Sequence, residues 1–135
     1  MKPIQVVETS AYVDDLDAAE RFYRDVLGLD VIGKEADRHV FLRVGDGDLL
    51  LLFKPETTRT GDTLPAHGCR GPTHFALGIE AGTLDDWRRH LVQCGVAIEK
   101  EVEWPRGGRS LYFRDPAGNS VELITPGIWG LPSGW

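Results

Sequence analysis

Residues 16–28 read LDAAERFYRDVLG, and with one residue deleted they can be laid over residues 84–95, which read LDDWRRHLVQCG. In both places an apolar, strand-like run comes before this helix-like stretch, and three strand-like runs come after it. The chain therefore predicts two copies of one βαβββ module, which is an α+β fold. The duplication also pairs positions: Glu8 falls opposite His74, while Glu122 falls opposite a run of leucines in the first module.

Length and composition are those of an ordinary globular protein. The chain has 135 residues, the size of a single domain, with 41% hydrophobic and 27% charged residues. No apolar run approaches the roughly 18 residues needed to cross a bilayer. The start, Met1 to Ile4, leads straight into a predicted strand, so we expect neither a membrane segment nor a signal peptide.

Charge and cysteine usage exclude further classes. The net charge is −6 and the sequence has no basic cluster, so nucleic acid is not an expected partner. The two cysteines, Cys69 and Cys94, lack CxxC spacing, and a domain of this size does not need a disulfide. We expect two reduced thiols and a cytoplasmic location.

The first module is predicted over residues 4–54. A strand from Ile4 to Val13 ends at Asp14-Asp15, which caps a helix whose apolar stripe stops at Gly28. Three strands are then predicted at residues 31–34, 39–44 and 49–53, with a Gly-Asp-Gly-Asp turn between the last two.

The second module is predicted over residues 73–125 of the same single domain. Residues 55–72 form a polar connection that is longer than most loops, and we expect it to fold over a site. The module repeats the order of the first, with strands at 73–80, 96–102, 110–114 and 120–125 and a helix that Thr83 caps and that runs to about Cys94. The tail, residues 126–135, carries Trp129, Leu131 and Trp135, which are too apolar to be left wholly in water.

Side-chain alternation assigns the two faces of the predicted strands. One parity is apolar and forms the helix-covered core: Val7, Ala11, Val13, Phe75, Leu77, Ile79, Leu111, Phe113, Val121 and Leu123. The other parity mixes small, hydroxyl and ionisable residues: Glu8, Ser10, Tyr12, His74, Ala76, Ser110, Tyr112, Ser120 and Glu122. Such a mixture is typical of a cavity lining.

Two stretches resemble the signatures of the vicinal oxygen chelate superfamily. They are residues 12–29, YVDDLDAAERFYRDVLGL, and residues 112–123, YFRDPAGNSVEL. This superfamily includes glyoxalase I, extradiol dioxygenases, methylmalonyl-CoA epimerase, fosfomycin-inactivating enzymes and bleomycin-resistance proteins. The resemblance runs from about Val6 to Pro126 and is specific for fold rather than for reaction.

The resemblance implies a fold, an assembly and a metal. The fold is a pair of βαβββ modules whose eight strands form a cupped, barrel-like sheet. The expected assembly is a homodimer, with modules paired either within or across subunits. The metal is a divalent ion held by inward residues of the first and last strands of the modules.

Carried over position by position, the implied metal ligands are Glu8, His74 and Glu122. His74 and Glu122 match the residue types of the family, whereas Glu8 stands where the family usually has His. The fourth ligand of glyoxalase I is absent, because every residue from Leu49 to Leu52 is leucine. One His and two carboxylates leave coordination positions open and suit Mn²⁺, Fe²⁺, Mg²⁺ or, less exclusively, Zn²⁺.

Other side chains are candidates for substrate contact. Tyr112 and Ser110 resemble the substrate-contacting Tyr and Ser of the fosfomycin-modifying enzymes, and Tyr112 and Glu8 are the candidate catalytic residues. Arg109 lies in a Gly-rich loop entry and offers a guanidinium to a carboxylate or phosphate, so we count it, with Ser110, as substrate-binding. His67 precedes the second module and is expected at the cavity mouth, as an acid or base near neutral pH.

Two functions from different classes remain open. The first is a metal-dependent enzyme that acts by Lewis-acid catalysis on a small oxygenated or electrophilic molecule. The second is a metal-free protein that sequesters a toxic compound, as bleomycin-resistance proteins do. The three candidate ligands favour the enzyme, and the acidic charge favours the binding protein.

Overall fold

The computed structural model describes residues 1–3, 5–60 and 65–135; Ile4, at the start of the first predicted strand, and residues 61–64 of the connection lie outside the described residues. The chain divides into two compact units, Met1–Thr73 (unit 1) and His74–Trp135 (unit 2). Each unit contains one four-stranded sheet and a βαβββ order. The predicted α+β class and the duplicated module are confirmed.

Unit 1 contains a mixed sheet in the order β1-β4-β3-β2. Its strands are β1 Glu8–Tyr12, β2 Asp30–Glu35, β3 His39–Val44 and β4 Asp48–Phe53. Helix α1, Leu16–Arg21, continues as a π-helical turn, Phe22–Val26, and a short helix α2, Pro55–Thr58, begins the connection. β1 and β4 pair in parallel, and the other neighbours pair antiparallel.

Unit 2 repeats this arrangement with the strand order β5-β8-β7-β6. Its elements are β5 His74–Gly78, α3 Leu84–Gln93, β6 Ile98–Glu103, β7 Arg109–Arg114 and β8 Ser120–Ile124. β5 and β8 are the parallel pair. None of the helices in the described part of the chain is long and apolar enough to span a bilayer.

The helical segment made of α1 and the π-helical turn begins and ends where the sequence predicts. The Asp15 carboxylate accepts a hydrogen bond from the backbone N–H of Ala18 at 2.9 Å, which satisfies one of the free donors of the first turn. Gly28 has a φ of +70°, a left-handed conformation that ends the helical segment at low cost. The stripe between these two residues buries Leu16, Ala19, Tyr23 and Leu27.

The predicted core parity holds along most of both sheets. Ala11 and Val13 are almost fully buried in unit 1, as are the apolar residues of the same parity on β7 and β8 in unit 2: Leu111, Phe113, Val121 and Leu123. Val7 is the exception and corrects the prediction, since it is 52% exposed. The reason is that β1 begins only at Glu8, so Val7 lies before the part of the strand that the helix covers.

The β7–β8 turn is organised around a buried aspartate. The Asp115 carboxylate accepts hydrogen bonds from the backbone N–H of Ala117 at 2.9 Å and of Asn119 at 2.8 Å, and from the Asn119 side-chain amide at 2.9 Å. Asp115 is 4% exposed and Asn119 is fully buried. These bonds hold the turn that delivers β8, and with it Glu122, into the sheet.

The C-terminal tail folds back onto its own unit. Ile128 is buried against the loop at Gly108, and the Trp135 ring lies so close to Gly78 that a Cβ at Gly78 would collide with it. Trp129 and Leu131 remain 65% and 53% exposed. The expected burial of the apolar tail is therefore complete within unit 2 for Ile128, and it is only partial for the other apolar residues of the tail.

We expect Asp115→Ala to lower the free energy of unfolding by about 2–4 kcal/mol, because it leaves buried donors without their charged acceptor. Urea denaturation measures this loss. Asp46→Ala is the matched control, since Asp46 lies exposed in the β3–β4 turn, and it should change stability by less than about 0.5 kcal/mol. Equal effects of the two substitutions would contradict a structural role for Asp115.

Candidate functional site

One face of the unit 1 sheet is covered by α1, and the other is open and carries Glu8. β1 presents Glu8, Ser10 and Tyr12 on this open face. In the parallel ladder these residues lie opposite Leu49, Leu51 and Phe53 of β4, whose side chains point to the same side. The open face of unit 1 therefore has a polar edge strand beside an apolar one.

A pocket of about 590 Å³ lies on this open face. The residues that line it come from β1, β3, β4 and the connection: Glu8, Ser10, Tyr12, Phe41, Leu49, Leu51, Phe53 and His67. The pocket is thus mainly apolar, with a carboxylate at one end of β1 and a tyrosine at the other.

Tyr12 and His67 form a hydrogen-bonded pair in this pocket. The Tyr12 hydroxyl and His67 Nδ1 are 2.8 Å apart. The backbone N–H of His67 donates to the Thr58 carbonyl at 3.2 Å, which fixes the connection above β1. Burial, with a smaller contribution from Cys69, raises the pKa of the Tyr12 phenol, so this hydroxyl keeps its proton at neutral pH.

The fourth metal-ligand position of the family is apolar here. Leu51 in unit 1 lies opposite Ser10, just as Glu122 in unit 2 lies opposite Ala76. The register of the two ladders therefore makes Leu51 the counterpart of Glu122.

The open face of unit 2 brings together His74 and Glu122. His74 Nε2 is 3.5 Å from Glu122 Oε2. The His74 Nδ1 atom is 3.2 Å from the Ser120 carbonyl oxygen, and because a carbonyl only accepts, Nδ1 is the donor. In the neutral ring the lone pair therefore lies on Nε2, on the side of the carboxylate.

Glu122 is an unusual carboxylate because it is only 4% exposed and is incompletely bonded. Its Oε1 atom has no hydrogen-bond partner in the described part of the chain. Buried carboxylates are normally paired, hydrogen-bonded or metal-bound, since desolvation of the charge is costly. The His74–Glu122 pair therefore fits a positively charged ligand.

Tyr112 lies beside Glu122 across the β7–β8 ladder. Burial, and then hydrogen bonding to Glu122, raise the pKa of the Tyr112 phenol to about 12, although a hydrogen bond from Ser110 acts in the opposite direction. Ser110 is itself held by the Trp104 indole N–H, which donates to its hydroxyl oxygen at 2.8 Å. Trp104 therefore holds Ser110 on the face that also carries Tyr112 and Glu122.

The three predicted metal ligands divide between the units. His74 and Glu122 lie together in unit 2, and Glu8 lies in unit 1. Across residues 1–3, 5–60 and 65–135, no three histidine, cysteine, aspartate or glutamate side chains converge closely enough to hold a metal. The complete set of three therefore stays a prediction.

Arg109 lies on the opposite face of unit 2 from Tyr112. Its guanidinium is 3.5 Å from both Asp85 and Glu101 and 3.6 Å from Glu103, on the side that α3 covers. These ion pairs are largely exposed and contribute little to stability. They engage the guanidinium on the face away from Ser110 and Tyr112, and the substrate-binding role of Arg109 stays a prediction.

Sequence reasoning missed the Tyr12–His67 contact and the contribution of Trp104. Tyr12 was assigned to the cavity face, but its partner His67 is 55 residues away, and no local pattern joins a loop residue to a strand. Trp104 was overlooked because it stands in a turn. A tryptophan six residues before a buried serine on a hairpin is the signal that could have found it.

Comparisons with known proteins agree with this architecture. The family described as Glyoxalase/Bleomycin resistance protein/Dioxygenase superfamily matches residues 5–123. The crystal structure of lactoylglutathione lyase from Agrobacterium tumefaciens has 39% sequence identity and a TM-score of 0.92, with 97% of this chain and 100% of that chain covered.

Two curated relatives carry the same name. Metallothiol transferase FosB from Staphylococcus saprophyticus subsp. saprophyticus is 30% identical over 125 residues, which cover 90% of this chain and 78% of that protein. Metallothiol transferase FosB from Shouchella clausii is 28% identical over 117 residues, which cover 84% of this chain and 74% of that protein.

In metal-free protein we expect the Tyr112 phenol to ionise near pH 12, about two units above an ordinary tyrosine. Because the folded pKa exceeds the unfolded one, this neutral phenol's contribution to stability is complete below about pH 10 and is lost as pH rises through about 12. The phenolate absorbance of wild type minus that of Tyr112→Phe gives the pKa.

Glu122→Gln separates the two causes. It removes the charge but leaves the burial, so the pKa should fall while staying above that of an ordinary tyrosine. Ionisation of Tyr112 near pH 10 in wild type would show that neither cause operates.

Proposed function

We propose, since this chain belongs to the Glyoxalase/Bleomycin resistance protein/Dioxygenase superfamily, that it is a metal-dependent enzyme acting on a small oxygenated or electrophilic molecule. The observation that carries the proposal is the His74–Glu122 pair. A neutral imidazole with its lone pair on Nε2 faces a buried carboxylate that has one oxygen without a partner. A divalent cation would satisfy both groups.

The metal set that we propose is Glu8, His74 and Glu122. It draws one carboxylate from unit 1 and the histidine with the second carboxylate from unit 2. One nitrogen and up to four carboxylate oxygens suit Mn²⁺, Fe²⁺, Mg²⁺ or Zn²⁺. When bound, such an ion supplies Lewis-acid stabilisation of the negative charge that develops on a substrate oxygen.

The surrounding residues keep this set in order. The Ser120 carbonyl fixes the tautomer and the rotation of the His74 ring. Hydrogen-bond acceptors commonly orient metal-binding histidines in this way. Tyr112 holds a proton on its hydroxyl at neutral pH and is the candidate acid, with Ser110 orienting that hydroxyl. Glu8, the other candidate catalytic residue, contributes through the metal.

The names of the similar proteins indicate a substrate class. One is a metallothiol transferase, and the other is a lactoylglutathione lyase, whose name contains the thiol glutathione. We therefore propose that the substrate is an oxygenated electrophile that is joined to a thiol or reacts with one. His67, exposed at the unit 1 pocket, is the candidate substrate-binding residue on that side.

A metal-free binding protein is the second candidate. It is favoured by Glu8 in place of the usual histidine and by the net charge of −6. A metal titration separates it from the enzyme.

His74→Ala should abolish stoichiometric Mn²⁺ binding in calorimetry, because it removes the only nitrogen of the proposed set. His90→Ala, a histidine on α3 of the same unit, should bind Mn²⁺ like wild type. Affinity should also fall as the pH drops, since metal ligation requires deprotonated ligands. A His74→Ala protein with wild-type affinity would refute the set.

Tyr112→Phe should bind metal normally but turn over slowly. Proton transfer by a positioned group is worth about 10²–10⁴-fold, so a loss in this range is expected if the hydroxyl donates a proton. Turnover is measured with 2-oxoaldehyde–thiol adducts and with epoxides plus a thiol, each with and without Mn²⁺. Ligand binding without metal and without turnover would favour the sequestering protein.

A homodimer is also proposed, because each unit leaves one sheet face open and Trp129 and Leu131 remain exposed. Light scattering at micromolar concentration should give a mass near twice the 15.0 kDa of one chain. The double variant Trp129→Ser, Leu131→Ser tests whether the tail contributes to the dimer interface. A double variant that is still fully dimeric would place the interface elsewhere. A wild-type mass near that of one chain would contradict the dimer.

A further inference from the structure

The pocket of unit 1 has walls made of packed aromatic rings. Phe41 stacks on His39 with ring centroids 3.9 Å apart and meets Phe53 edge to face at 5.6 Å. Phe53 in turn meets the His67 ring edge to face at 4.6 Å. Aromatic pairs prefer centroid separations of about 4.5–7 Å. The exposed parts of these rings therefore favour contact with an aromatic ring of a ligand.

The Tyr12–His67 pair gives this aromatic pocket a polar end. With the Tyr12 hydroxyl donating to Nδ1, the proton of the neutral His67 ring lies on Nε2. The His67 Nε2–H therefore complements a ligand that brings a hydrogen-bond acceptor.

The other end of the pocket is marked by Glu8. Glu8 and Tyr12 are four residues apart on β1, which is about 13 Å along an extended strand. The pocket volume of about 590 Å³ is in the range of small-molecule sites. A ligand that spans it would have an oxygenated end near Glu8 and an apolar body between Leu51 and the rings.

We propose that this pocket binds an aromatic ring bearing a hydrogen-bond acceptor, which forms the part of the substrate remote from the metal. Phe41 and Phe53 contact the ring, and the His67 Nε2–H donates to the acceptor. The inference rests on the proposed function for the metal-bound end of the substrate. It goes beyond that function by giving the chemistry of the substrate's other end.

Three hydroxamates, which carry adjacent oxygens that chelate a metal, test the proposal on Mn²⁺-loaded protein. Benzohydroxamate should bind about three- to tenfold more tightly than cyclohexanecarbohydroxamate, since only the flat ring stacks. 4-Acetylbenzohydroxamate should gain about a further fivefold from its carbonyl. Calorimetry gives the three affinities.

Variants locate these preferences in the pocket. Phe41→Ala should remove most of the advantage of benzohydroxamate over its cyclohexane analogue, whereas Phe22→Ala, the same change on the α1 side, should not. His67→Phe should remove only the gain from the acetyl group, because it keeps an aromatic ring at this position and loses the N–H. If Phe41→Ala does not fold, as judged by thermal melting, Phe41→Leu keeps the bulk and loses the ring.

The outcomes separate the two proposals. If Mn²⁺ does not bind, the proposed function fails, and the same three probes are titrated into metal-free protein by ligand-observed NMR. The ring preference and its loss in the Phe41 variant would then still uphold the pocket. Equal binding of the aromatic and cyclohexane probes, or equal losses in the Phe41 and Phe22 variants, would overturn it.

Discussion

The parallel pairing of the first and last strands of each module is the constraint on which the candidate site depends. Facing residues of a ladder point to the same side of the sheet. Once His74 lies opposite Ser120, Glu122 must lie opposite Ala76 and, through β7, beside Tyr112. A shift of one residue would turn the carboxylate into the helix-covered core, so register and chemistry are fixed together.

The same constraint produces a different surface in unit 1. There the residue in the place of Glu122 is Leu51, and its neighbours on the open face include Phe41 and Phe53. One copy of the module thus presents ionisable groups at its parallel pair, and the other presents mainly apolar ones. Since the two sheets are otherwise alike, the difference comes from a few side chains on one face and leaves the helix-covered cores intact.

Periodicity was enough to predict most of the fold. Apart from β1, which was predicted from Ile4 and begins at Glu8, the strands of both modules, the Asp15 cap and the Gly28 end were predicted to within a residue or two, because each depends on neighbours in sequence. Val7 was misassigned because parity says which side a residue faces but not whether anything covers it there.

The site was predicted less completely than the fold. Parity put His74, Glu122, Ser110 and Tyr112 on one face, as the structure does. Alternation from Ser110 places Arg109 on the other face, so its substrate-binding role, which follows from its position at a loop entry, stays a prediction. His67 approaches Tyr12 through a connection without periodicity, so its partner was not readable from the chain.

The cost of burying Glu122 connects the fold to the proposed chemistry. A carboxylate that is 4% exposed and has an oxygen without a partner destabilises the sheet that holds it. Asp115, in the turn before β8, shows the contrast: its carboxylate is equally buried, but it accepts hydrogen bonds from the turn around it. A cation that binds only the folded protein would offset the deficit at Glu122, and its contribution would grow with its concentration. The buried carboxylate of Glu122 thus has an oxygen without a hydrogen bond, whereas that of Asp115 is bonded by its own turn. This difference is the physical argument that Glu122 serves to bind a ligand and does not serve to stabilise the fold.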